Sequence, residues 1–304
     1  MSSISQIITP HIKDLGGFTA RRSLPHDDRM MVGPFIFFDH LGPAIFPPGK
    51  GVDVRPHPHI NLATVTYLFE GVLLHQDSLG NVQEIYPGAV NWMSAGRGIV
   101  HSERSPQSDR LKESTLHAIQ TWVALSEANE ETEPTFRHYP IEDIPTWTEN
   151  GVAIALIAGA AWGRTSPVKT LSPIIYLDLS FAPGAKLTLP ADYSERGIYS
   201  VTQGLFVDGE ELEQHRLAIL SAKSIVTISA NTQARCVVVG GEPIGDRYQW
   251  WNFVSSRQER IEQAKHDWQE NRFEQVPEEK EFIPLPEDAF TANDNQLDEV
   301  QPLS

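Results

Sequence analysis

The sequence has little cysteine and no long apolar run. Its single cysteine, Cys236, excludes an internal disulfide framework and a cysteine-based zinc site. No apolar stretch approaches the roughly 20 residues that a membrane-spanning helix needs. The start, MSSISQIITPHIKD, lacks the basic region and apolar stretch of a secretory signal. These absences predict a cytoplasmic protein without a membrane partner.

Basic residues are also scarce, with 24 Lys and Arg against 40 Asp and Glu, which gives a formal net charge of −16. This balance argues against direct nucleic-acid binding, because that function needs a basic face. From Glu274 to Ser304 there are nine acidic residues and one lysine. We therefore expect this last stretch to be a solvated, partly disordered acidic tail.

Strand patterns fill the chain from Phe18 to about Val254. Short runs of Val, Ile, Thr, Tyr and Phe alternate there with Gly, Pro, Asn and Asp, as in an all-β barrel or sandwich. The clearest hairpin turns at Asp77–Asn81. One long helix is predicted, from about Ser255 to Phe273, with serines able to cap it and apolar residues at helical spacing: Ile261, Ala264 and Trp268.

Two segments of the chain resemble each other. Arg55–Leu73 and Leu189–Phe206 each have a proline, a polar stretch and an alternating run that ends in glycine. The repeat predicts two similar barrels, with an N-terminal domain at 1–136, a C-terminal domain at 150–254, and a helix with the acidic tail at 255–304. The first copy carries His57 and His59, whereas the second lacks histidine there, so only the first barrel is expected to bind metal in this way.

Two short motifs carry the candidate chemistry. In a strand, residues i and i+2 point to the same face about 7 Å apart, so His57 and His59 can grip one ion, and His101 and Glu103 form a second such pair. Each pair alone is a weak signal, but both lie in strand patterns that follow turn residues. If the two strands face each other, three imidazoles and one carboxylate converge. That donor set suits Fe(II), Mn, Ni, Cu or Zn and leaves room for water or substrate.

Other candidate residues receive simpler interpretations. His75, at a hairpin end, is expected to be solvated rather than a ligand. His40 is a weaker candidate for the cavity lining, and His117 and His138 are expected to pack or to lie on the surface. Cys236 lies in an apolar strand and is expected to be a buried, inert thiol.

The stretch HPHINLATVTYLFEGVLLHQDSLGNVQEIYPGAVNWMSAGRGIVHSE resembles the signature region of the pirin family, a branch of the cupins. The segments RRSLPHDDRMMVGPFIFFDHLGP and VPEEKEFIPLPED are also similar to pirin segments. This resemblance implies an all-β bicupin, with two jelly-roll β-barrels facing each other and iron in the N-terminal barrel alone. It also implies which residues bind the metal: His57, His59, His101 and Glu103.

The resemblance further implies a function. Some pirins act as quercetin 2,3-dioxygenases, so we expect one divalent metal, most simply Fe(II), and an oxygen-dependent opening of a flavonol or related enol with Glu103 as the base. The alternative is a metal- or redox-dependent regulatory protein that binds a transcription factor or metabolic enzyme without turnover, and a further one is a purely structural metal. Where many pirins read HPHRGFE, this chain has Ile60–Ala63 after the histidines, which puts an inherited substrate preference in doubt.

Overall fold

A computed structural model of the protein describes residues 3–15 and 17–286. Its regular structure is almost all strand, which confirms the predicted all-β class. The first half of the chain forms β1 (Ile4–Ile8), β2 (His11–Asp14), β3 (Thr19–Leu24), β4 (Phe35–Phe46), β5 (Asp53–His59), β6 (Leu62–Gly71), β7 (Leu73–Asp77), β8 (Val82–Ile85), β9 (Val90–Ser94), β10 (Ile99–Arg104), the short α1 (Gln107–Arg110), β11 (Ser114–Ala124), β12 (Thr135–Tyr139) and β13 (Thr146–Glu149).

The second half continues the strand pattern and ends in a helix. It forms β14 (Val152–Ala161), β15 (Arg164–Thr165), β16 (Ile174–Phe181), β17 (Lys186–Leu189), β18 (Glu195–Ser200), β19 (Leu205–Val207), β20 (Glu210–Leu212), β21 (Leu217–Leu220), β22 (Val226–Ala230), β23 (Ala234–Gly241), β24 (Tyr248–Trp250), β25 (Phe253–Ser255) and α2 (Gln258–Gln269). Two single 3₁₀ turns lie at Glu127–Asn129 and Ile141–Asp143.

The chain divides into two compact units that each combine separate segments. We call one the histidine unit: Ile12–Ala20, His40–His138 and Gly245–Ser304. We call the other the aliphatic unit: Met1–His11, Arg21–Asp39 and Tyr139–Ile244. The linear boundaries predicted from the sequence remain predictions, and this division adds to them an exchange of N-terminal and C-terminal segments.

Both units are built around the same strand order. A seven-stranded sheet runs β12-β9-β6-β11-β4-β3-β2, and its counterpart runs β1-β21-β18-β23-β16-β14-β13, with β15 paired to β14. The four-stranded sheets run β5-β10-β7-β8 and β17-β22-β19-β20. These orders match strand for strand, which agrees with the predicted repeat and confirms the two-barrel fold class. Gly71 and Gly204, which end the repeated runs, have positive φ angles of 91° and 85°.

The hairpin predicted around Asp77–Asn81 is confirmed, since β7 pairs with β8 across it. Gly80 adopts a positive φ of 84°, as the turn requires. The side chain of Asp77 completes the turn, because its Oδ1 accepts hydrogen bonds from the backbone N–H groups of Leu79 (3.0 Å) and Asn81 (3.1 Å). An aspartate that closes a turn through its side chain is a common local solution.

The predicted C-terminal helix is also confirmed, and it buries the three expected apolar side chains, Ile261, Ala264 and Trp268. Its predicted capping by serine is wrong, because Arg257 occupies the N-cap position without a side-chain cap. The hydroxyls of Ser255 and Ser256 instead donate to the Glu130 carboxylate at 3.3 and 2.8 Å. These serines therefore tie the start of the helix to another part of the histidine unit.

The expectation of a solvated tail is wrong for the segment 274–286, and residues 287–304 lie outside the described part of the chain. Val276 is buried, and the backbone N–H of Ile283 donates to Pro56 O at 2.8 Å. The Glu279 carboxylate accepts from the Arg104 guanidinium at 3.0 Å. This segment therefore packs on β5 and β10, which the sequence predicted to carry the metal ligands.

Two further expectations concern Cys236 and the membrane. Cys236 is buried in the core of the aliphatic unit, and burial raises the pKa of its thiol, so the prediction of an inert thiol agrees with its surroundings. Among the described residues, no helix has the length and apolar character needed to cross a membrane. The predicted cytoplasmic location remains a prediction.

Candidate metal centre

The pairing of β5 with β10 brings the three predicted histidines together. His57 lies opposite His101 in this antiparallel pair. His59 shares the face of His57, as its i+2 spacing predicted. One potential ligand atom from each of the three rings lies within 4.8 Å of the others, and all three side chains are buried. The local alternation of the two strands is therefore sufficient to assemble the cluster.

The outer nitrogens of two of these rings are bound to backbone carbonyls. His57 Nδ1 lies 2.9 Å from Arg55 O, and His59 Nδ1 lies 3.2 Å from Asn252 O. A carbonyl oxygen only accepts, so each Nδ1 carries the ring hydrogen and donates it. In a neutral ring this leaves Nε2 with a free lone pair, which is the arrangement that metal-binding histidines show in proteins.

The third ring, His101, is backed by another histidine. His101 Nδ1 lies 3.4 Å from His75 Nδ1, and His75 Nε2 lies 2.9 Å from Asp77 Oδ2. The expectation that His75 is solvated is wrong. Its side chain is buried and stacks on Phe136 with the ring centres 4.2 Å apart. The cause is the pairing of β7 with β10, which places His75 opposite Glu103 and Asp77 opposite His101.

Electrostatics keep the cluster in the neutral, metal-binding form. Burial lowers the pKa of His57, which its hydrogen bond to Arg55 O and the nearby Glu103 only partly offset. Burial lowers the pKa of His59 and His101 further, and the neighbouring histidines add to the effect. Neutral imidazole is the form that binds a metal ion.

The distance between two of the inner nitrogens fits a shared cation. His59 Nε2 and His101 Nε2 are 3.1 Å apart. Two nitrogens bound at right angles to one ion, each at about 2.1 Å, would be about 3.0 Å apart. Two free lone pairs at such a distance repel each other unless a cation or proton lies between them. The donor set therefore suits a first-row transition metal.

Glu103 lies beside the cluster but is not part of the compact group of ligand atoms. Its Oε1 accepts from the Thr66 hydroxyl at 3.0 Å, and its Oε2 accepts from the Gln120 amide at 2.7 Å. The side chain is buried, and its charge acts on His57. A β-bulge between His101 and Glu103 shifts the register at this point. The predicted ligand role of Glu103 remains a prediction.

The remaining histidines of the unit lie in other contacts. His40 Nε2 and His117 Nε2 are 2.7 Å apart, and His138 Nδ1 lies 2.7 Å from Asn91 Oδ1. His40 is fully buried, and its partner His117 packs edge-on to Phe69. These contacts agree with packing roles for His117 and His138.

Sequence reasoning missed several groups that surround the cluster. Thr66 and Gln120 hold Glu103, Asn252 backs His59, and Trp122 packs edge-on to His59 with the ring centres 5.0 Å apart. These four come from distant parts of the chain and carry no local motif. Asp77 was different, because His75-x-Asp77 repeats the i, i+2 spacing that identified the ligand pairs.

A two-barrel fold with a buried histidine cluster on facing strands defines a bicupin with one candidate metal centre. The Pirin family model matches residues 17–123, and the model of the pirin C-terminal cupin domain matches residues 176–274. Together the two matches span more than half of the chain. The protein belongs to the pirin family.

Similar proteins of known name support the same assignment. A pirin-like protein of Caulobacter vibrioides is 46% identical, covering 90% of this chain and 96% of its own, and human pirin is 32% identical over 86% and 90%. A crystal structure of quercetin 2,3-dioxygenase from Acinetobacter baumannii superposes with a TM-score of 0.87 at 32% identity, covering 97% of this chain and 98% of that one.

Proposed function

We propose that this protein is a metal-dependent dioxygenase of the quercetin 2,3-dioxygenase type, which opens the ring of a flavonol or related enol with O₂. The observation that carries the proposal is the buried cluster of His57, His59 and His101, with the carboxylate of Glu103 beside it. The likeness to the Acinetobacter baumannii enzyme supports the reaction type. Fe(II) is the expected metal, and Mn, Ni, Cu and Zn are others that this donor set accepts.

The metal would be held by His57, His59 and His101, with Glu103 as the fourth ligand. When bound, the ion supplies a Lewis acid for the enol oxygen and a redox partner for O₂. Glu103 accepts the proton of the substrate's enol hydroxyl on a carboxylate oxygen. Thr66 and Gln120 donate to the two oxygens of Glu103 and thereby fix the orientation of the carboxylate.

Aromatic side chains at the cluster fit a flat, aromatic substrate. Trp122 packs edge-on to His59 and is buried. Phe136 covers His75, which itself lies against His101. Such side chains exclude water and offer large apolar faces to a flavonol ring. Ile60–Ala63, which replace the sequence common in pirins, follow directly on the ligands, so the preferred flavonol or enol is open to test.

The test combines metal content with turnover. The purified protein is loaded anaerobically with Fe(II), mixed with quercetin, and then exposed to air. We expect about one metal ion per chain and an oxygen-dependent loss of the flavonol absorption band with release of carbon monoxide. His59→Ala should lose the metal, and Glu103→Gln should lose turnover. Glu70→Gln is the matched control, because Glu70 is an exposed carboxylate of the same unit.

The other outcomes are equally informative. Metal binding without turnover of any flavonol would overturn the dioxygenase proposal and favour the regulatory alternative. That alternative is then tested by capture of protein partners with the Fe(II) and Fe(III) forms compared. A wild-type protein that takes up no metal after reconstitution would overturn the metal site itself.

A further inference from the structure

We propose that Asp77, acting through His75, holds the ligand His101 in the tautomer that can bind a metal. The inference rests on the proposed metal centre and assigns a positioning role to two residues outside the ligand set. Its basis is the direction of hydrogen bonding along a chain of three buried side chains.

The chain begins at a group that can only accept. Asp77 is completely buried, and its Oδ2 lies 2.9 Å from His75 Nε2. An ionised carboxylate has no hydrogen to donate, so His75 Nε2 must carry the hydrogen of this bond. A neutral imidazole has one ring hydrogen, and His75 Nδ1 is therefore an acceptor.

The second bond follows from the first. His75 Nδ1 lies 3.4 Å from His101 Nδ1, which is a long contact, and one of the two nitrogens must donate. Because His75 Nδ1 has no hydrogen, His101 donates from its own Nδ1. His101 Nε2, which lies 3.1 Å from His59 Nε2, is then left with a free lone pair directed to the centre of the cluster.

His101 differs in this respect from the other two histidines of the cluster. The Nδ1 atoms of His57 and His59 face the backbone carbonyls of Arg55 and Asn252, which accept whatever the side chains around them do. The partner of His101 is an imidazole, which can donate or accept. The tautomer of His101 is therefore the one that a side-chain substitution can reverse.

The hairpin turn keeps Asp77 in its accepting role. Its Oδ1 receives the backbone N–H groups of Leu79 and Asn81, and the Asn81 amide also donates to the carboxylate. Burial raises the pKa of Asp77, but the bonds from His75 and Asn81 outweigh it, and the net shift is downward. Asp77 therefore remains a carboxylate.

Asp77→Asn tests this polarity with little change of shape. The asparagine oxygen is expected to keep the two backbone donors, which turns its NH₂ group toward His75 Nε2. His75 must then accept at Nε2 and donate from Nδ1. His101 Nδ1 becomes the acceptor, and the hydrogen moves to His101 Nε2, where it blocks the metal.

The first measurement uses the metal-free protein. Long-range proton–nitrogen spectra of protein labelled with ¹⁵N-histidine distinguish a ring protonated at Nδ1 from one protonated at Nε2. We expect His101 to carry its hydrogen on Nδ1 in the wild type and on Nε2 in Asp77→Asn. His75→Gln offers an oxygen and an NH₂ group in place of the two ring nitrogens, so it should keep the wild-type tautomer of His101.

The second measurement is the affinity for Ni(II) alone, determined by competition with a chelator. Asp77→Asn should bind about 10–100-fold more weakly, as is typical when the partner of a metal-binding histidine is lost. His75→Gln should stay within about 3-fold of the wild type because it preserves both bonds. His138→Gln is the control, since His138 contacts Asn91 and has no bond to the ligand set.

The outcomes separate this inference from the metal centre. Unchanged His101 tautomer and Ni(II) affinity in Asp77→Asn would overturn the role of Asp77. A wild type that shows the expected tautomers but binds no Ni(II) would overturn the metal centre and leave the hydrogen-bond chain intact. If Asp77→Asn fails to fold, His75→Phe replaces it. That variant removes both bonds, so His101 should populate both tautomers, and a single Nδ1–H form would contradict the inference.

Discussion

The two units of this protein share a strand order but fill their interiors differently. In the histidine unit, the strand pair β5 and β10 sets His57 opposite His101. In the aliphatic unit, the corresponding pair β17 and β22 sets Leu187 opposite Ile228, and both belong to one continuous apolar core. The backbone pairing is antiparallel in both cases.

The difference shows where the chemistry of this fold is encoded. The strand order does not distinguish the two units, whereas the side chains that face inward from one strand pair do. Imidazoles need outward hydrogen-bond partners when they are buried, and the histidine unit supplies them from Arg55, Asn252 and His75. Leucine and isoleucine need only packing. A metal centre therefore requires its supporting polar groups as well as its ligands.

The largest effect that breaks the comparison is loss of the ligands. His101→Ala should reduce the affinity for Fe(II) or Ni(II) by more than about 100-fold, since direct ligands contribute more than the 10–100-fold typical of their hydrogen-bond partners. Metal analysis and chelator competition measure this loss. His215→Asn is the control in the aliphatic unit, where a φ of 61° suits asparagine. Equal loss in both variants would show that the cluster is not the binding site.

Much of this contrast could be predicted from the sequence because it depends on local alternation. His57 and His59 share a face through their spacing, and the hairpin at Asp77 and the apolar face of α2 follow from short-range patterns. The absence of histidine from the second repeat likewise predicted which barrel carries the cluster.

What the sequence did not reveal depends on contacts between distant residues. His75 looked solvated because it lies near a turn, yet the pairing of β7 with β10 buries it beside His101. The acidic segment after α2 looked like a free tail, but Glu279 finds Arg104, which lies 175 positions away in the sequence. Charge and composition do not report such partners.

The second prediction concerns packing in the aliphatic unit. Leu187→Ala should destabilise the protein by about 2–5 kcal/mol, because the leucine side chain is buried and its removal leaves a cavity. The metal stoichiometry should stay unchanged. Urea unfolding of the metal-free protein and metal analysis measure the two effects. His57→Ala in the same assay should give the reverse result, with metal lost and little change in unfolding. The contrast between the units would fail if both variants lost both properties.

The third prediction compares the glycines that end the repeated runs. A Cβ on Gly71 would lie 2.1 Å from the backbone oxygen of Thr115, whereas one on Gly204 would lie 2.4 Å from the Thr232 hydroxyl, which can rotate away. Both have positive φ, so each alanine variant carries about 1–3 kcal/mol of strain. Gly71→Ala should be the more destabilising by about 1–3 kcal/mol. Equal unfolding midpoints would show that the Thr115 backbone yields freely.

The smallest expected effect concerns the outer side of the metal-binding strands. Glu279 accepts from the Ser102 hydroxyl at 3.1 Å and from two nitrogens of Arg104 at 3.0 Å, and both residues alternate with the ligand positions on β10. Glu281 binds the same arginine at 2.9 Å, but its side chain is 59% exposed against 14% for Glu279. The two carboxylates thus form a matched pair on one partner.

Glu279→Gln should raise the dissociation rate of Ni(II) by about 2–5-fold, because an amide cannot accept from Arg104 and Ser102 at both of its ends. Glu281→Gln should leave that rate unchanged, since an exposed ion pair contributes about 0–1 kcal/mol. Chelator-driven release of Ni(II) measures both variants. If the two behave alike, the segment after α2 only covers β10. A difference would show that the histidine unit steadies its ligands from outside as well, with a segment that follows the last helix.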